Sequence, residues 1–494
     1  MRESGVLLPI SSLPGRYGIG SLGKEEKSFA RRLARSGCKV WQILPINPTS
    51  FGDSPYQSFC TFAGNVYFID LDELVSQGLL KKNDLPNYEE SNVVDYGKLY
   101  DERYETLEKA FDYSYKKVCD KVEEFSSGNP WLNDFALFMS LKEKFGGASW
   151  QNFPKELKFR EEKALEKARE ELKDRINFYK FTQYLFSSMW VSFKKYVNSL
   201  GIKLMGDIPI YVALDSSDVW ANPKAFMLDD SLTPTVVAGV PPDYFCEDGQ
   251  LWGNPIYDIE YLKKTDYKFW TDRIGKAAEY YDVIRLDHFI GFANYYSVPY
   301  GEKTARNGKW NDGMGEELFR AIRKKVGNVE IIAEDLGVLS DKVVALRDKL
   351  NLPGMKVLQF SLEENGFPAP ESFPENSVIY TGTHDNDTTK GWYLTLGESE
   401  KTKIRRLFNI NSALSDEDSA NAVVDKMIRL CFSAKSKLAI VPVQDLLRLG
   451  SDSRMNSPGL DRGNWQFRLC KSELTPSVFS RLKRLNNRYS RNGN

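Results

Sequence analysis

Histidine is almost missing from this chain. Its 494 residues include two, His288 and His384. A binuclear metal hydrolase usually draws on several imidazoles, so metal catalysis is disfavoured and no metal or other cofactor is expected. A magnesium site built from carboxylates is left open by this count. Cysteine is sparse and scattered (Cys38, Cys60, Cys119, Cys246, Cys431, Cys470), with no C-x-x-C pair; reduced thiols in a cytoplasmic protein account for that. No run of about 18 apolar residues occurs, so no transmembrane helix is expected. The start, Met1–Ile10, lacks a charged segment followed by a long apolar run, so no secretory signal is expected. Neither sign of charge dominates: Lys+Arg is 67 and Asp+Glu is 68. That balance argues against nucleic acid or an anionic membrane as main partner.

What is present begins with the stretch Tyr281-Asp-Val-Ile-Arg-Leu-Asp-His-Phe289. Val283, Ile284 and Leu286 predict a buried strand that ends abruptly in polar groups. Arg285 and Asp287 lie two apart, so on a strand they point the same way. Such a pair is costly at the end of an apolar strand unless it pairs or binds something. Alone, it reads equally well as a structural ion pair.

The same design recurs. Residues 1–23, rich in Gly, Pro and Ser, read as a loop. Strands are predicted at 40–46, 66–71, 202–208, 283–287, 329–334, 355–360, 378–385 and 438–443, most of them separated by helical stretches such as 24–36, 178–200, 315–325, 341–350, 415–432 and 477–489. Eight strands alternating with helices predict a TIM (β/α)₈ barrel. A doubly wound sheet is the runner-up. It would be expected to carry a glycine fingerprint after its first strand, but Gly15-Arg-Tyr-Gly-Ile-Gly20 has the wrong spacing and precedes that strand. The whole chain, 1–494, is read as one barrel with two insertions. About 72–175 is a charged helical insertion, and about 209–258 is a loop-rich one of the kind used as a lid.

Barrel active sites lie at the C-terminal ends of the strands, and there the polar residues fall: Asp207, Asp287, Glu334 and Asp385. Acids converging on one rim repel one another unless something holds them. Retaining glycosyl transfer needs an ionised carboxylate as nucleophile and a protonated carboxyl as acid/base. Arg285 favours the ionised form of Asp287. Glu334, after apolar Ile331-Ile-Ala333, is the better proton donor. The aromatic content of 13 % is enough to fill a core and still supply flat platforms for sugar rings.

Nearly end to end, the chain resembles the amylomaltases, or 4-α-glucanotransferases, of the α-amylase-type barrels. The resemblance rests on Ser54-Pro-Tyr-Gln-Ser58, Gly206-Asp-Ile-Pro-Ile-Tyr-Val212, Gly239–Asn254, Arg285-Leu-Asp-His288, Ala333-Glu-Asp-Leu-Gly337, Thr381-Gly-Thr-His-Asp-Asn386 and Asn456-Ser-Pro-Gly459, in that order. It implies transfer of α-1,4-glucan segments by a retaining mechanism, with maltooligosaccharides and glucose as substrates or products. The near alternatives are an α-amylase-type hydrolase and a non-catalytic glucan-binding protein. The resemblance matches Asp287 to the nucleophile, Glu334 to the acid/base and Asp385 to the third carboxylate. It matches Arg285 to the partner of the nucleophile, and His384, Asp207 and Tyr56 to the donor-sugar site. Phe245 and Trp252 match a cleft-covering loop. Two positions depart from the family pattern: Ile290, where many relatives have arginine, and Phe467, in a second tryptophan position.

Overall fold

Parallel strands covered on both faces read as unbroken apolar runs, and Leu438–Pro442 is buried at every position. So is Val283–Leu286, even though it contains Arg285. The computed structural model describes residues 2–242, 247–363, 366–460 and 462–493. In chain order the strands among them are β1 (Glu3–Leu7), β2 (Val40–Gln42), β3 (Lys203–Ile208), β4 (Val236–Val240), β5 (Gln250–Pro255), β6 (Val283–Leu286), β7 (Asn294–Pro299), β8 (Lys309–Asp312), β9 (Glu330–Ala333), β10 (Gly354–Val357), β11 (Ser377–Tyr380) and β12 (Leu438–Pro442). Eight of them close into a barrel in the order β1-β12-β11-β10-β9-β6-β3-β2. Every neighbouring pair is parallel. The fold is the (β/α)₈ barrel expected from the sequence.

The helices end where chain chemistry stops them. Lys24–Arg35 and Lys173–Ser199 are each followed two residues later by a glycine in left-handed backbone, Gly37 at φ +86° and Gly201 at φ +74°. Only glycine adopts that conformation without strain.

Beyond the second sheet, whose four strands the sequence reading did not predict, two elements differ from that reading. Val66–Leu71 is not a strand. Asn65 accepts a hydrogen bond from the Tyr67 N–H at 3.0 Å and Asp70 one from the Glu73 N–H at 2.8 Å. These two caps fold the stretch into a 3₁₀ turn, Val66–Phe68, and then a helix, Leu71–Ser76. Its apolar side chains are buried because the turn packs on helix Lys173–Ser199. Conversely, residues 1–23 are not all loop. Glu3–Leu7 is the strand that closes the barrel between β2 and β12. A Cβ on Gly5 would sit 2.8 Å from the Val40 carbonyl oxygen, so the residue that hides this strand from a propensity argument is the one its packing requires.

Helices Tyr96–Gly128 and Trp131–Lys144 lie between β2 and β3 and pack against Lys173–Ser199. A separate antiparallel sheet of order β5-β4-β7-β8 draws two strands from the segment after β3 and two from the segment after β6. No helix among the described residues is long and apolar enough to cross a membrane.

Gly206, in β3, precedes Asp207, and a Cβ there would meet the Tyr281 ring at 2.3 Å. Gly206→Ala is therefore expected to destabilise the fold by about 1–3 kcal/mol through overpacking. Urea unfolding monitored by tryptophan fluorescence checks this; an unchanged midpoint would show that Tyr281 has room to yield.

Candidate active site

Three of the four acids come from adjacent strands. Asp207 is in β3, Asp287 directly follows β6, and Glu334 directly follows β9. Main-chain bonds hold these ends in step: Asp287 N–H donates to Ile208 O at 3.0 Å, Glu334 N–H to Leu286 O at 3.0 Å and Phe289 N–H to Glu334 O at 2.9 Å. Asp385 comes from the loop beyond β11.

Arg285 sits beneath them, buried. Its Nη1 donates to Asp207 Oδ2 at 2.5 Å and to Asp287 Oδ1 at 2.9 Å. One guanidinium thus pairs with two carboxylates, and a buried arginine is tolerable only when paired in this way. The two acids are not equivalent. The Asp207 side chain is fully buried, whereas that of Asp287 is 26 % exposed, so of the two Asp287 is the one open to solvent. Burial pushes the Asp207 carboxyl up from its ordinary value, with Arg285 opposing.

Glu334 is held by two backbone amides. Its Oε2 accepts from His288 N–H at 2.7 Å and its Oε1 from Leu336 N–H at 3.1 Å. Burial dominates its titration and pushes the carboxyl up to about 7, Arg285 opposing and Asp287 adding to the rise. His288, which supplies one amide, has left-handed backbone at φ +50°. Burial lowers its imidazole to about 4, so the ring is neutral near pH 7.

On the far side, the Tyr56 hydroxyl donates to Asp207 Oδ2 at 2.9 Å and lies 2.9 Å from His384 Nε2. The two rings stack at 5.3 Å. His384 Nε2 also lies 3.2 Å from Asp385 Oδ2, and Asn456 Nδ2 donates to Asp385 Oδ1 at 2.6 Å. Burial opposes ionisation of Asp385, but His384 and Asn456 outweigh it and hold the carboxyl well below its usual range. Burial likewise opposes a charged His384, yet Asp385 raises its pKa overall.

Tyr56, Asp207, Arg285, Asp287, Glu334, His384 and Asp385 therefore form one connected cluster. Trp252, on β5, adjoins it: its ring meets His288 edge-on at 4.8 Å. Phe245 lies outside the described residues. Among the described residues no group of three or more His, Cys, Asp or Glu is arranged to hold a metal ion. Of the two departures, Phe467 is buried in the hydrophobic core and Ile290 is also buried, so neither presents a free polar group to the cluster.

Sequence reasoning assigned no role to the amides of His288 and Leu336, nor to Arg454, Asn456 and Trp465. An amide carries no side-chain signal. Asn456 and Trp465 reach the site from far along the chain, so local periodicity could not find them. Chemically, the cluster offers an accessible carboxylate on a guanidinium next to a carboxyl that keeps its proton to about pH 7, the pair needed for retaining displacement at an acetal carbon.

A family model described as 4-alpha-glucanotransferase matches residues 8–473. A 4-alpha-glucanotransferase of Clostridium butyricum is 44 % identical over 493 residues, covering 98 % of this chain and 99 % of that protein. One from Thermus thermophilus is 45 % identical over 493 residues, covering 98 % and 97 %. Among solved structures, the amylomaltase from Streptococcus agalactiae in complex with acarbose superposes with a TM-score of 0.94 at 39 % identity, over 99 % of this chain and 100 % of that one.

The raised Glu334 pKa has a stability consequence. The folded state holds this proton to about pH 7, and the ordinary carboxyl value is 4.5. The stability it confers is therefore full below about 4.5 and is lost as pH rises through about 7, by at most a few kcal/mol. Glu334→Gln removes that loss. The melting temperature of the variant relative to the native protein is expected to rise between pH 4.5 and 7 and level off above; a pH-independent difference would contradict the raised pKa.

Proposed function

The chain belongs to the 4-α-glucanotransferase family, and from that membership we propose that Asp287 is its nucleophile, Glu334 its general acid/base and Asp385 the carboxylate that stabilises the transition state. The enzyme moves α-1,4-glucan segments from a donor to the 4-hydroxyl of an acceptor glucan or glucose. The observation that carries the assignment is the division of labour among the carboxyl groups: Asp287 is partly exposed on Arg285, while Glu334 is pushed up to about 7 by burial.

In the first step an Asp287 oxygen attacks the anomeric carbon of the donor. The bond to the leaving O4 breaks, and Glu334 gives that oxygen its proton. The donor segment is then held as a covalent ester of Asp287. In the second step Glu334, now ionised, takes the proton of the acceptor 4-hydroxyl. That oxygen attacks the anomeric carbon and Asp287 leaves. Two inversions give net retention. Glu334 must change charge twice per cycle, and a pKa near 7 lets it do so at neutral pH.

Arg285 stays charged throughout and offsets Asp287 when it is an anion. Tyr56 is the flat platform against which the donor sugar is held, and the buried Asp207 and His384 fix it from behind through its hydroxyl. Trp252, on β5, is read as part of the lid over the acceptor side. The whole of 1–494 is read as one catalytic unit with insertions at about 72–175 and about 209–258. Maltooligosaccharides and glucose are its small substrates and products. We read a cytoplasmic location from the described cysteines Cys38, Cys60, Cys119, Cys431 and Cys470, which are free, since oxidising compartments favour disulfides. The hydrolase and binding-protein alternatives are not favoured.

Two experiments test these roles. With a fluorinated donor that carries a good leaving group, Glu334→Gln is expected to form a trapped glycosyl-enzyme, because departure then needs little protonation. Asp287→Asn is expected to form none; mass spectrometry reads the adduct, and an adduct on Asp287→Asn would show the nucleophile to be another residue. The second concerns Trp252. Transfer prevails over hydrolysis only if the site binds the acceptor sugar and limits attack by water. Trp252→Ala is expected to lower the ratio of glucosyl transfer to hydrolytic reducing-end release from maltotriose. An unchanged ratio in a folded, active variant would leave Trp252 only as packing for His288 and Tyr211.

A further inference from the structure

Asp385 is the most accessible member of the aspartate trio, with a side chain 41 % exposed against 26 % for Asp287 and none for Asp207. A carboxylate this open, on a loop, retains rotamer freedom that must be removed before it can place an oxygen on a sugar hydroxyl. Two restraints act on it. His384 stands at one oxygen, 3.2 Å away. The other oxygen is engaged by Asn456, 71 residues further along the chain, at 2.6 Å.

Asn456 grips the strand end twice, because its own N–H also donates to His384 O at 3.1 Å. Arg454 in turn fixes Asn456. Its Nε donates to Asn456 O at 2.7 Å and its Nη2 to Asp385 O at 2.8 Å, so one guanidinium clamps both ends of the pair. Beyond them, Asn464 accepts from Ser457 N–H at 2.8 Å. The Trp465 ring then rests 5.5 Å from Tyr56 and 6.0 Å from His384. The segment 454–465 is thus tied at both ends to the catalytic cluster.

We propose that Asn456 is a positioning residue for glucan transfer: held by Arg454, it fixes the plane of the Asp385 carboxylate. The inference rests on the reading of Asp385 as the transition-state carboxylate. An amide suits this task because it donates a hydrogen bond without bringing a charge. Each Asp385 oxygen keeps a further lone pair for a sugar hydroxyl, and the anion is not neutralised by its holder.

The test is disproportionation of maltotriose by Asn456→Ala, Asn456→Asp and Asp385→Asn, with kcat and KM followed from pH 4.5 to 8 and folding checked by thermal melting. Asn456→Ala is expected to lower kcat by about ten- to a hundred-fold, the scale of misplacing a catalytic group, with KM little changed. Asn456→Asp sets a second carboxylate at the same oxygen. Two such groups cannot both ionise at low pH, so the acidic limb of kcat is expected to move up by about one pH unit or more. The other charged groups around Asp385 are His384, more weakly Arg285, and Arg454 on its main-chain oxygen, and all are unchanged in this variant. A residue that merely ties down the loop would lower the melting temperature without moving that limb. A folded Asn456→Ala with native kcat, or a folded Asn456→Asp with the native pH profile, overturns the proposal. If Asn456→Asp does not fold, Asn456→Ser, a shorter uncharged donor, is expected to restore part of the kcat lost in Asn456→Ala; no restoration overturns it equally. If Asp385→Asn itself keeps native kcat, the reading of Asp385 fails and this inference with it, an outcome distinct from failure of Asn456 alone.

Discussion

A buried guanidinium makes the rest of this site affordable. Four carboxyl groups meet at one end of a barrel, and at these distances unscreened anions would drive the strand ends apart. Arg285 settles two of them through a single nitrogen. The remaining two are settled differently: Glu334 keeps its proton to about pH 7, and Asp385 is held ionised by His384 and Asn456. Each acid therefore has its own solution, and the differences among the solutions separate an accessible carboxylate, the proposed nucleophile, from a carboxyl that keeps its proton, the proposed donor.

The barrel supplies the precision. Asp287 and Glu334 leave neighbouring strands, and their main chains are bonded to Ile208 and Leu286 on the next strands. Their separation is thus set by a parallel hydrogen-bond ladder and not by loops. Two residues beside the cluster have left-handed backbone, His288 and Trp465, and the N–H of His288 donates to Glu334. Strain at a single residue thereby ties the Glu334 carboxyl to the strand end that carries Asp287.

Around this rigid floor the walls come from distant pieces of chain. Tyr56 lies after β2, the sheet of Trp252 is built from segments after β3 and after β6, and 454–465 follows β12. Their contacts with the cluster are hydrogen bonds and ring edges. Such contacts can open at a lower cost than the barrel core, and an enzyme that must exchange one glucan for another needs walls of that kind.

The sequence by itself determined the barrel and its acidic rim. Buried parallel strands are read as apolar runs, and carboxylates at the ends of several such runs repel one another on one rim unless something holds them. That logic found Asp207, Asp287, Glu334 and Asp385, and the two-residue spacing paired Arg285 with Asp287. It failed where local chemistry and tertiary packing disagree. Gly5 and Ser4 disguise β1, whose strand conformation comes from its two neighbours, and the caps Asn65 and Asp70 turn an apolar run into helix. The tertiary structure alone decided that Arg285 serves Asp207 as well as Asp287, that Tyr56 bridges Asp207 and His384, and that Asn456 holds Asp385. Hydrogen bonds between residues 71 to 328 positions apart leave no trace in any local window. They exist because closing the barrel brings those loops to one rim.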